Sequence, residues 1–136
     1  MNSPNFYIKL YFLTFLVFLG IDAIWLGIIA KNLYSSKIGH LMADNPNLLA
    51  AFVFYALNII GIIVFAINPA LEKGTLQTAA IYGALYGFMT YATYDLTNLA
   101  TLKNWPITVT IIDLIWGTAL SATVACAGYL IATKVI

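Results

Sequence analysis

Arginine is absent from this chain, and cysteine and histidine occur once each. Without arginine there is no bidentate fork for phosphate or carboxylate. All six basic residues are lysines, the net charge is +1 and no basic stripe forms, so nothing favours nucleic acid as a partner. Cys126 alone cannot form an intrachain disulfide and reads as a small apolar filler. His40 shares a polar segment with Asp44 but has no helix-borne histidine or cysteine beside it, which argues against a metal site. No nucleophile–base pair stands out either, so no metal and no cofactor is expected. Charge itself is scarce, at 8% of residues against 62% apolar. Soluble domains carry about 25% charged residues. A chain so poor in charge cannot clothe a water-facing surface, and it reads as an integral membrane protein.

What is present is length in apolar runs. Four segments, about 7–30, 48–67, 75–102 and 106–132, reach the length of a membrane-crossing helix, about 20 residues. The first is too long for the apolar region of a cleaved leader, Asp22 interrupts it, and no small-x-small site follows before Lys31, so it reads as a retained span. Asn68-Pro69 is expected to close the second, because proline cannot continue a helix without losing a hydrogen bond. Thr75 is suited to cap the third and Pro106 to open the fourth. Trp105 stands where aromatic belts form. Only helices and closed barrels satisfy backbone groups in lipid, and strand alternation is lacking here. The expected fold is therefore all-α, a single domain over residues 1–136 made of four antiparallel transmembrane helices with both termini on the same side. Lys9, Lys73 and Lys134 then face Lys31, Lys37 and Lys103 across the membrane, a balance that leaves the orientation open.

Against this apolar background three acids stand out. Ile21-Asp22-Ala23-Ile24-Trp25 and Ile112-Asp113-Leu114-Ile115-Trp116 repeat one pattern, and Asp95 interrupts the third run. Ionisable groups inside membrane helices are costly and point to functional sites. Asp22 lies nine residues before Lys31, Asp95 eight before Lys103 and Asp113 ten after it. At about 1.5 Å per residue, each lies roughly 12–15 Å from the same membrane face. The three acids are thus expected in one layer, in the half of the membrane away from the termini. On the third helix Gly83 and Gly87 form a GxxxG motif suited to close helix packing within the chain, and Tyr91, Tyr94 and Asn98 continue near that stripe. Asn58 on the second helix is expected at a similar depth.

Tyrosine hydroxyls, indole N–H groups and amides can donate to such carboxylates. The candidate site therefore comprises Asp22, Asp95 and Asp113 as acids, with Tyr91, Tyr94, Asn98 and Asn58 as donors and Trp25 and Trp116 as walls or packing residues. In an enzyme Asp95, flanked by tyrosine and asparagine, is the best general acid/base. The competing reading is that each aspartate is interhelical glue that fixes helix register. The repeat is also consistent with an inverted duplication, as in many transporters.

The run Tyr94-Asp95-Leu96-Thr97-Asn98-Leu99-Ala100-Thr101-Leu102-Lys103-Asn104-Trp105-Pro106, followed by Asp113 and Trp116, resembles the predicted membrane proteins grouped as domain of unknown function 2177. The early Asp22-x-x-Trp25 and the tyrosine-rich third helix fit as well, so the resemblance covers nearly the whole chain. It implies a small multi-pass protein of the bacterial inner membrane and brings no established activity or catalytic residue. The resemblance also implies genes encoded near those of lipid-modifying enzymes, as for members of similar families, which tilts the expected ligand towards membrane lipids or another small apolar molecule. Two rival functions stand beside this one: a proton-coupled small transporter, paired as a homo-oligomer of oppositely inserted copies, and a structural subunit of a membrane complex.

Overall fold

The computed structural model describes residues 2–136, and among these the chain is helical apart from short turns. Its α-helices are α1 (Pro4–Ile24), α2 (Lys31–Ile38), α3 (Leu48–Ile62), α4 (Asn68–Lys73), α5 (Leu76–Thr101) and α6 (Ile107–Leu130). Wider π-helical turns at Trp25–Ile29, Ile63–Ile67 and Ile131–Val135 extend α1, join α3 to α4 and extend α6. Three of the resulting rods, Pro4–Ile29, Leu48–Lys73 and Ile107–Val135, are long and apolar enough to cross a membrane. α5 has comparable length, 26 residues, with more polar side chains.

Side-chain distribution follows the same logic. On α1 the buried stripe is Leu10, Thr14, Phe18 and Asp22, at a spacing of four, while Ile8, Phe12, Leu16 and Leu19 face outward. The outer surface is thus more apolar than the inner one, the reverse of a helix on a water-soluble protein. Thr75 Oγ1 accepts the Thr78 N–H, the cap expected from the sequence, and Ser3 Oγ likewise accepts that of Phe6.

Three details differ from expectation. Asn68-Pro69 does not end the second rod, which continues to Lys73. The π-turn before it carries a hydrogen bond from the Asn68 N–H to the Ile63 carbonyl, and Pro69 then occupies the first turn of α4, where its missing N–H is tolerated. Gly74, at φ 68°, closes that helix in the left-handed conformation. The segment between the first two rods is not merely a polar connection, because 31–38 forms α2. Pro106 is the cap of α6 rather than its first helical residue.

α5 and α6 form the closest helix pair, running antiparallel. Gly83 faces Ala125, Gly87 faces Ser121 and Gly117, Tyr91 lies on Gly117, and the Asp95 carbonyl accepts from Thr110. A Cβ on Gly83 would lie 2.6 Å from that of Ala125, so the GxxxG motif serves packing within the chain. The main apolar cluster, including Leu10, Phe18, Ile59, Ile67, Ala79 and Val124, fills the half of the bundle nearer the termini. The three buried aspartates lie in the other half.

Candidate functional site

The inward stripes of the long helices end in acids. On α1 the stripe leads to Asp22; on α5 it runs Ala79, Gly83, Gly87 to Asp95; on α6 Asp113 precedes Gly117. All three aspartates are buried, Asp95 completely. The two Asp-x-x-Trp segments meet face to face between α1 and α6. The Trp25 and Trp116 rings stack 4.2 Å apart at 8°.

Hydrogen bonds cross-link the two segments. Trp116 Nε1 donates to Asp22 Oδ1 at 3.3 Å, and Tyr55 Oη from α3 donates to Asp22 Oδ2 at 2.8 Å. Trp25 Nε1 donates to Tyr34 Oη at 3.2 Å, and Tyr34 in turn donates to Asp113 Oδ1. Each aspartate is therefore tied to the tryptophan of the other segment, one directly and one through Tyr34. The bend at Ala30, whose N–H bonds the Trp25 carbonyl across the π-turn, is what returns α2 towards the bundle and lets Tyr34 reach inward. Burial, with the Asp113 carboxylate next, pushes the Tyr34 phenol up, so it remains a proton donor at neutral pH.

These groups line a cavity of about 740 Å3. Asp22, Asp113, Tyr34, Tyr55, Tyr91 and Tyr94 supply its polar atoms; Leu26, Ile38, Met42 and Phe54 supply apolar wall. Trp25, Trp105 and Trp116, all the tryptophans of the chain, are on its lining. Trp105 is not an outward belt residue: it is buried, donates to Thr110 Oγ1 at 3.0 Å and meets the Tyr94 ring edge-on. Lys31, exposed, is the one basic side chain on the lining among the described residues.

Asp95 stands behind this lining, its carbonyl against Thr110 one turn from Asp113 on α6, and neither of its carboxylate oxygens has a hydrogen-bond partner. Neighbouring carboxyls can hold a shared proton, or share the positive charge of something bound beside Asp113.

The structure brings together Asp22, Asp113, Tyr91, Tyr94, Trp25 and Trp116 on one cavity and sets Asp95 near Asp113. Asn58 and Asn98 lie off that lining. Asn58 Oδ1 accepts from Tyr86 Oη at 3.1 Å, and the Asn98 carbonyl accepts the Leu102 N–H at the end of α5. Two tyrosines central to the hydrogen bonding were missed by sequence reasoning. Tyr55 stands one helical turn from Asn58, on a side of α3 that the buried Asn58 already marks as inward, and that spacing could have found it. Tyr34 had no such signal, because α2 carries too few apolar residues to be told from a loop.

No curated protein and no solved structure matches the chain. A family model described as "Predicted membrane protein (DUF2177)" matches residues 7–130, nearly the full length. The chain belongs to this family of predicted membrane proteins.

Proposed function

We propose that this protein crosses the bacterial inner membrane four times, with both termini on one side, and binds a lipid or other small apolar molecule in the cavity between α1, α2, α3, α5 and α6. The cavity carries the reading. Its volume of about 740 Å3 falls in the range of small-molecule sites, about 300–1,000 Å3. Apolar walls with a few converging polar groups are the composition such sites have. The fourth crossing is α5, on which Tyr91 lines the cavity and Asp95 is fully buried while Leu85, Phe88, Met89 and Leu96 face outward.

The density of buried polar groups supports a site over glue. Asp22 with two donors would serve as glue, but an unsatisfied Asp95 costs stability and is poor glue. Native mass spectrometry of the protein released from mild detergent tests the proposal. A bound molecule should persist on the wild type and be lost when Thr90→Phe fills the cavity, with helix content unchanged. Equal retention by both proteins would mean that the cavity is not where the molecule sits.

A second reading, proton-coupled transport, draws on the proximity of Asp95 to Asp113, since membrane carboxylates form proton relays. Its paired, oppositely inserted form requires both orientations of the chain in one membrane.

A further inference from the structure

Among the described residues, two carboxyls and one basic side chain line the cavity. Asp22 and Asp113 both lie on its lining, Asp95 stands behind it near Asp113, and Lys31 is exposed at the edge. Buried charge is ordinarily paired. Asp22 is held by two neutral donors and Asp113 by one, while both Asp95 oxygens are fully enclosed and unpartnered. Tyr34, Tyr55, Tyr91 and the stacked Trp25 and Trp116 line the cavity around the two carboxyls, and an aromatic ring carries negative potential on its face. Aromatic rings beside carboxylates are the chemistry that recognises ammonium groups, through cation–π attraction and charge-assisted hydrogen bonds. Beyond the acids, Leu26, Ile38, Met42 and Phe54 offer an apolar continuation suited to a hydrocarbon tail.

We infer that the ligand is an amphiphilic organic cation, an amine or quaternary ammonium head on an apolar tail, with the head beside Asp22 and Asp113 among the aromatic rings and the tail along the apolar wall. The inference rests on the cavity-binding reading above and adds the sign of the head group. Such a head would give the lining carboxyls a charged partner in addition to the neutral donors that hold them. A free alkylamine and the amino head group of a phospholipid share this chemistry.

Three probes with one tail and different heads test it on the full-length protein in a neutral detergent: octylamine, octanol and octanoate. Tryptophan fluorescence reads occupancy, because every tryptophan lines the cavity. Octylamine should bind saturably and about tenfold or more tighter than octanol, as a desolvated cation–π contact with an added charge pair allows. Octanoate should bind more weakly than either. Asp113→Asn should weaken octylamine by a larger factor than octanol, bringing the two affinities together, with circular dichroism reading whether the variant is folded. Asp22→Asn provides the same comparison if Asp113→Asn fails to fold.

Equal affinity for octylamine and octanol, or a preference for octanoate, would overturn the cation while leaving the cavity-binding reading intact. No saturable response to any of the three would sink that parent reading instead. In nanodiscs, competition of phosphatidylethanolamine against octylamine, with none by phosphatidylglycerol, would assign the head group to a lipid. Octylamine binding unaffected by either lipid would assign it to a free amine, and competition by phosphatidylglycerol alone would contradict the inference.

Discussion

The Trp25 indole lies flat on that of Trp116, and the N–H of Trp116 is donated to Asp22, three residues before Trp25 on the facing helix. The repeated Asp-x-x-Trp pattern is thus a reciprocal device. Each copy supplies an acid and a ring, and the rings hold the acids of the opposite copy in place. Trp116→Phe keeps an aromatic stack but removes the donor. An interhelical hydrogen bond in a membrane bundle contributes about 0.6 kcal/mol on average and up to about 1.7. A loss of that order in unfolding free energy in detergent is expected, and Trp116→Ala, which also loses the stack, should cost more.

Tyr55→Phe removes the shorter of the two bonds to Asp22. A cost similar to that of Trp116→Phe is expected. The double variant should lose more than the sum, because Asp22 is then left buried without a donor. A double-mutant cycle by thermal or denaturant unfolding checks this.

Asp95→Asn should raise the stability of the empty protein. An ionised Asp95 leaves two buried oxygens unpartnered, whereas an amide at that position carries donors of its own. Relief of an unsatisfied buried polar group is worth about 1–3 kcal/mol. A lowered melting temperature for this variant would contradict the arrangement described.

Tyr34 has a pH signature. Its phenol is held above the ordinary value of 10.0 in the folded protein, first by burial and then by Asp113. A group whose folded value is raised contributes stability that is complete below the unfolded value and is lost as the pH rises towards the folded one. Melting temperatures should therefore fall as pH rises above about 10. That fall should be smaller in Tyr34→Phe, which should also be less stable at neutral pH for want of its bond to Asp113.

Membrane crossings can be counted by chemical labelling. With Cys126 replaced by alanine, single cysteines at Asp44 and Asn104 should react with an impermeant maleimide from one side, and cysteines at Gly74 and Ile136 from the other. Labelling of one position from both sides would support the dual-orientation reading.

Much of this arrangement was legible in the sequence because membrane helices obey simple periodicities. The shared layer of Asp22 and Asp113 follows from counting residues to a lysine. The α5–α6 contact follows from the GxxxG motif of Gly83 and Gly87, since small residues are what let backbones approach. Local deviations were not legible. Nothing in Ile63–Ile67 marks a π-turn, so Asn68-Pro69 read as an end rather than a helix continuing past its proline. Tyr34 reaches Asp113 only because the chain bends at Ala30, a tertiary event that no spacing rule encodes. Depth also does not give direction. Asn58 lies near the expected level, but its amide meets Tyr86 rather than the acids.

Occupation of the cavity beside the acids is reported directly by the tryptophans, all of which line it. Protein in nanodiscs would be titrated with lipids carrying brominated acyl chains, and with brominated octylamine, while tryptophan emission is recorded. Saturable quenching, relieved by the unbrominated compound and abolished by Thr90→Phe, is the expected result. Quenching that rises linearly with added quencher and is unchanged by Thr90→Phe would show that only surrounding lipid reaches the tryptophans, and would contradict the account.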